Sequence, residues 1–110
     1  YLIISVSPDT PSNFSHSNVT TSSVILSWTV GDDGGDTQAF HIEYKLVTSG
    51  DWQTVPVPMD KADNISEVDF TLDKLRSGEE YQIRVYARNN FGESGRLILI
   101  IDTLAERRKS

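Results

Sequence analysis

Apolar and polar residues alternate along most of this chain. The alternation is strict in Phe40-His41-Ile42-Glu43-Tyr44-Lys45, in Val68-Asp69-Phe70-Thr71-Leu72-Asp73 and in Tyr81-Gln82-Ile83-Arg84-Val85-Tyr86-Ala87-Arg88. A period of two sends successive side chains to opposite faces, as in a strand with one buried side. Phe40, Ile42 and Tyr44 then share one face, and His41, Glu43 and Lys45 the other. No window keeps apolar residues at i, i+3, i+4 and i+7, so no helix is predicted.

Turn-forming clusters separate the alternating runs. Gly31-Asp32-Asp33-Gly34-Gly35-Asp36, Ser49-Gly50-Asp51, Ser77-Gly78-Glu79 and Asn89-Asn90-Phe91-Gly92-Glu93-Ser94-Gly95 each fall between two of them. Gly and Asn tolerate the positive φ that tight reversals need. Seven strands at this spacing predict an all-β antiparallel sandwich. The ends differ from the body. Residues 1–7 read as the last strand of an upstream domain, a linker to one, or an added strand here, before Pro8 and Pro11 interrupt. Residues 8–104 form the domain, and 105–110 a frayed polar tail.

Composition narrows the function. A chain of 110 residues suits one domain. Its longest apolar run, Leu97–Ile101, is far short of the roughly 20 residues of a spanning helix. The net charge is −6, and three of the ten basic residues crowd into the last four positions. So acidic a body is repelled by phosphate backbones and anionic lipid, which argues against nucleic acid or membrane insertion. There is no Cys, hence no disulfide, thiolate metal site or cysteine nucleophile. His16 and His41 are the only histidines, and neither lies in a catalytic motif. No enzyme activity, cofactor or metal is expected.

Three further elements occur in order. Trp28 ends Ser-Val-Ile-Leu-Ser-Trp, Leu75-x-x-Gly78-x-x-Tyr81 opens the sixth strand, and Ala87-x-Asn89-x-x-Gly92-x-Ser94 closes it. Together they resemble the fibronectin type III domain over about residues 8–104. Asp33-Gly34-Gly35-x-x-Gln38-x-Phe40 is also similar to such domains in immunoglobulin-superfamily adhesion receptors of the nephrin kind. The resemblance implies strands at 12–18, 22–29, 38–47, 52–57, 66–73, 80–88 and 95–103, lettered A, B, C, C′, E, F and G in that family. Sheets A-B-E and C′-C-F-G then pack face to face. Trp28 would fill the space between sheets. Tyr81 would turn its hydroxyl back toward Leu75–Gly78, a tyrosine corner, with Leu75 closing the core and Gly78 allowing the bend. A non-catalytic extracellular module of a cell-surface or secreted multidomain protein is implied. It would act as a spacer and protein contact surface, with a heterophilic ligand-binding module acting through the C-F-G face as the alternative.

Several residues are candidates for contact or modification. Asn13, Asn18 and Asn64 each begin an Asn-x-Ser/Thr glycan acceptor, where chance gives roughly one. Arg84, Tyr86 and Arg88 point outward from F, and His41, Glu43 and Lys45 from C. Tyr and Arg are enriched at binding hot spots, so a protein-binding face is expected around Tyr86. The competing expectation is a solvated face with cross-strand pairs such as Glu43–Arg84. Phe91 is a candidate anchor at the F–G turn. Trp52 with Tyr86 makes a thin aromatic platform for carbohydrate, or Trp52 packs over the sheet edge. Leu97–Ile101 is apolar on both faces, so Ile98 and Ile100 are exposed or covered, either by Leu2-Ile3-Ile4 or by another chain. The partner is another protein or a second copy, with the isolated chain a monomer or weak dimer. Asp32–Asp36 reads as a plain turn, and His41 with Glu43 lacks a third metal ligand.

Overall fold

The computed structural model describes residues 4–48, 50–58 and 66–106. Eight strands are present: β1 (Ser12–Ser17), β2 (Val24–Thr29), β3 (Ala39–Leu46), β4 (Gln53–Pro56), β5 (Glu67–Leu72), β6 (Glu80–Asn89), β7 (Gly92–Glu93) and β8 (Leu97–Asp102). One sheet runs β1-β2-β5. The other runs β4-β3-β6, with β7 and β8 both on the far side of β6. All pairings are antiparallel. The expected sandwich and its division into sheets are therefore present.

The alternation drives the burial. Val24, Leu26 and Trp28 of β2 face Phe40 and Ile42 of β3 and Ile83, Val85 and Ala87 of β6, all of them buried. Trp28 lies between the sheets, with its ring centroid 5.7 Å from Phe40 and 6.1 Å from Phe14. The Tyr81 hydroxyl accepts the Arg76 N–H at 2.9 Å, and Leu75 beside it is buried. Gly78 has φ 65°, and its N–H donates to the Leu104 carbonyl. The tyrosine corner therefore ties the loop before β6 to the chain's exit.

One departure from expectation shapes the rest. The seventh strand begins at Leu97 rather than at residue 95, and a separate two-residue strand, β7, precedes it at Gly92–Glu93. Arg88 pairs with Glu93, yet Val85 pairs with Leu97, so one extra residue is inserted on this strand. The insertion is a bulge at Ser94-Gly95-Arg96. Ser94 is buried there, donating its N–H to the Ala87 carbonyl while its hydroxyl accepts the Ala87 N–H at 2.9 Å. Beyond the bulge, Leu97, Leu99 and Ile101 turn inward, while Ile98 and Ile100 remain exposed.

The entering segment forms no strand over Ile4–Ser7. It lies instead along the loop before β3. The Val6 N–H donates to the Gly34 carbonyl at 2.8 Å and the Asp9 N–H to the Asp32 carbonyl at 2.9 Å. Ile4 is exposed and does not shield Ile98 or Ile100; Leu2 and Ile3 lie outside the described residues.

Candidate contact surface

The outer face of the five-stranded sheet gathers the predicted contact residues. Registry sets Tyr86 opposite His41, Arg84 opposite Glu43 and Gln82 opposite Lys45. Arg84 Nη2 meets Glu43 Oε1 at 2.9 Å, the expected cross-strand pair. The Arg84 guanidinium lies over the Trp52 ring, 3.6 Å from its centroid, and Lys45 Nζ stands 5.7 Å from the same ring. Trp52 thus packs over the sheet.

The bulge adds a residue that the alternation does not reveal. Two residues, Gly95 and Arg96, occupy the stretch facing Tyr86, and Arg96 reaches across the sheet. Its Nε donates to Glu43 at 2.7 Å and its Nη2 to Glu93 at 3.1 Å. The guanidinium carbon sits 4.0 Å from the Tyr86 ring centroid. Tyr86 in turn stacks on His41, with centroids 5.2 Å apart and planes 14° apart. The result is a continuous series: Trp52, Arg84, Glu43, Arg96, Tyr86, His41.

This series corrects one expectation. Tyr86 does point away from the core, but it is only 5% exposed because Arg96 covers it. Arg88, one step beyond, is exposed. Phe91, at the turn between β6 and β7, is 59% exposed and does not fold back. Its N–H donates to Asn89 Oδ1 at 2.8 Å.

The charges respond to this packing. Burial pushes the Glu43 carboxyl up, but the Arg96 hydrogen bond and the Arg84 charge outweigh it, leaving Glu43 below its ordinary value. Burial, and then the Arg88 charge, lower His41. Burial raises the Tyr86 hydroxyl, with Glu93 and Glu43 adding to the shift. His41 Nδ1 and Arg84 Nε are buried without a hydrogen-bond partner.

A second constellation lies where the chain enters. Asn89 Nδ2 donates to the Val6 carbonyl at 2.6 Å and to the Asp33 carbonyl at 2.9 Å. Asn89 is buried, so one amide joins the end of β6, the loop before β3 and the entering segment. Gly34, at φ 74°, is required here, since a Cβ would sit 2.2 Å from the Val6 carbonyl oxygen. Asp32 and Asp33 accept the Gly34 and Gly35 N–H groups at 3.0 and 2.9 Å, the Asx-turn arrangement of an acidic turn.

Asn13 and Asn18 lie on or beside the edge strand of the other sheet. Asn13, at φ 55°, occupies the irregular stretch of β1, where its Nδ2 donates to Thr29 Oγ1 at 3.2 Å. Asn18, at φ 50°, follows β1; both are exposed. Asn64 lies outside the described residues.

Two packed antiparallel sheets, a tryptophan between them and a tyrosine corner define an immunoglobulin-like β-sandwich module. Comparison with known proteins narrows that class. The fibronectin type III domain model matches residues 9–98, and the chain belongs to that family. It is 34% identical over 102 residues to the human cell adhesion molecule DSCAML1, covering 92% of this chain and 5% of that protein. It is 32% identical to human cell adhesion molecule DSCAM, with the same coverage. To human nephrin it is 34% identical over 94 residues, covering 84% of this chain and 7% of nephrin. The chain therefore spans only a small part of these curated relatives. Among solved structures, titin kinase with its flanking domains matches at a TM-score of 0.68 and 27% identity, over 90% of this chain and 18% of that one. A myokine matches at 0.70 and 20% identity, over 89% and 99%, a likeness of fold alone.

Proposed function

We propose that this chain is a non-catalytic extracellular module of a cell-surface adhesion protein, working as a rigid spacer. The observation carrying this reading is that Arg84, Arg96, Tyr86 and His41 on the outer face are engaged with one another and with Glu43 rather than offered to a partner. The Asn89 clamp supports it, because a spacer must fix the direction in which the chain enters. Amide relaxation tests this: the order parameters of Ser5–Asp9 should match those of β6. Asn89→Ala should release the segment and cost about 0.5–1.5 kcal/mol for each of the two hydrogen bonds lost. An entry segment already mobile in the parent protein would defeat the rigid-spacer reading.

Glycans at Asn13, Asn18 and Asn64 fit the same proposal. Expression through a secretory pathway should give a mass increment that glycosidase removes, and each Asn→Gln change should reduce it where that site is occupied. Glycans at Asn13 and Asn18 would shield the three-stranded sheet and leave the β3-β6-β8 side open. One observation favours a second reading, heterophilic binding through that side: Phe91 and Arg88 are exposed together at the pole carrying the β6–β7 turn. Titration against candidate ectodomains, with Phe91→Ala as the control, separates the readings, because a pure spacer binds none.

A further inference from the structure

The outer face of the three-stranded sheet holds a polar cavity beside Asn13. Its volume is about 260 Å³, and Asn13, Ser15, Ser27, Trp28, Thr29 and Glu67 line it. Registry explains the polar lining. Val24, Leu26 and Trp28 of β2 turn inward, so Ser27 and Thr29 turn outward, and their partners Ser15 and Glu67 share that face. The irregularity in β1 brings Asn13 to the rim. Between the pairs Ser12–Thr29 and Ser15–Ser27, Asn13 and Phe14 together stand opposite Trp28 alone. Phe14 packs inward on the Trp28 ring, while Asn13, at φ 55°, lays its amide over the outer face. There Nδ2 donates to Thr29 Oγ1 at 3.2 Å, which carries the nitrogen from β1 toward β2.

We propose that the first sugar of a glycan on Asn13 lies flat in this cavity, reaching across β2 toward Glu67, instead of projecting from the strand. This rests on Asn13 being an occupied acceptor, as proposed above. Attachment joins Nδ2 to the anomeric carbon of the sugar; the sugar's bond to its diphosphate carrier breaks, and one Nδ2 hydrogen leaves as a proton. The second hydrogen stays, so the bond to Thr29 survives and holds the linkage against the sheet. From Thr29 to its partner Glu67 is one strand spacing, about 4.8 Å, which a single sugar ring spans. The lining suits a sugar in particular. Ser27 already donates to Asp69 at 2.6 Å and so offers lone pairs, Thr29 keeps its own hydroxyl hydrogen, and Glu67 has no ion pair among the described residues. Sugar hydroxyls both donate and accept, whereas an apolar occupant would strand these groups. Seated this way, the sugar becomes part of the sheet's outer surface.

Nuclear Overhauser contacts test the seat, on this chain secreted from cells with isotope-labelled sugars. Peptide mapping first reads occupancy at Asn13. Protons of the first sugar should then show contacts to the Glu67 side chain as well as to Thr29. These contacts should persist after an endoglycosidase trims every glycan to its first sugar. The trimmed chain should melt about 4 °C above the same chain from a host that adds no glycan, the shift of about one net hydrogen bond in a domain of this size. Thr29→Val keeps the acceptor sequence Asn13-Phe14-Ser15. It should shrink that difference and remove the contact to Glu67. An occupied Asn13 whose first sugar shows no contact with Glu67 overturns the seat while the glycan proposal stands. So does a melting difference unchanged in Thr29→Val. An Asn13 left bare in the secreted chain overturns both.

Discussion

The outer surface of the five-stranded sheet divides into two unlike halves. Over β3 and β6 a connected group of side chains is matched. Arg84 has Glu43 and Trp52, Arg96 has Glu43, Glu93 and Tyr86, and Tyr86 has His41. Over β8, Ile98 and Ile100 face outward with nothing across them among the described residues. Residue type alone would rank the halves the other way, since Tyr and Arg mark contact surfaces. A hot-spot residue must also have unused surface, and Arg96 covers the Tyr86 ring.

This contrast can be broken most forcefully at Arg96. Arg96→Ala uncovers Tyr86 and leaves Glu43 with Arg84 alone. It should cost about 1.5–3 kcal/mol in urea unfolding, as for a lost hydrogen bond to a charged group. Arg88→Ala on the same face, at an exposed position, should stay within about 0.5 kcal/mol. Similar losses for the two would mean that the matched half is ordinary solvated surface.

A double-mutant cycle on Glu43→Gln and Arg84→Met sharpens the contrast within the matched half. The coupling should be about 1 kcal/mol, because both groups are partly exposed and solvent screens them. A coupling near zero would move the stabilisation to Arg96.

Acid acts on the same half. His41 is held below 6.5 in the fold and Glu43 below 4.5. The unfolded chain therefore binds more protons than the folded one below each of these values, and stability falls as pH falls. A melting temperature followed from pH 8 to 3 should decline first below about 6.5 and again below about 4.5. The second decline should shrink in Glu43→Gln. A flat profile across the first window would remove His41 from the stack.

The smallest effect belongs to the bare half. Ile98→Thr and Ile100→Thr keep β-branching and lose only exposed methyl surface. Each should change monomer stability by less than about 0.5 kcal/mol in chemical unfolding. A loss above about 1 kcal/mol would show these side chains to be buried within the chain.

Much of the fold was legible because the alternation states burial directly. Parity gives the face on which Glu43 and Arg84 lie, while their pairing across strands and the roles of Trp28 and Tyr81 follow from the resemblance to the fibronectin type III domain. Arg96 did not, because a bulge resets parity; the one visible signal is Gly95 in Gly-Glu-Ser-Gly ahead of an apolar run. The burial of Tyr86 followed Arg96 out of sight, since it depends on a side chain from another strand. Asn89 was legible as a position in a motif but not as a clamp, because its two carbonyl partners lie 83 and 56 residues away along the chain.

The clamp also decides how this module would bear load. Tension applied at the entering end reaches the Asp9–Asp32 and Val6–Gly34 bonds and the Asn89 amide before it reaches β1. Those few bonds form a short fuse in series with the sandwich. Peeling them lengthens the chain by a few residues while both sheets stay intact. In an optical trap this gives a small early extension ahead of the main rupture, and Asn89→Ala removes it.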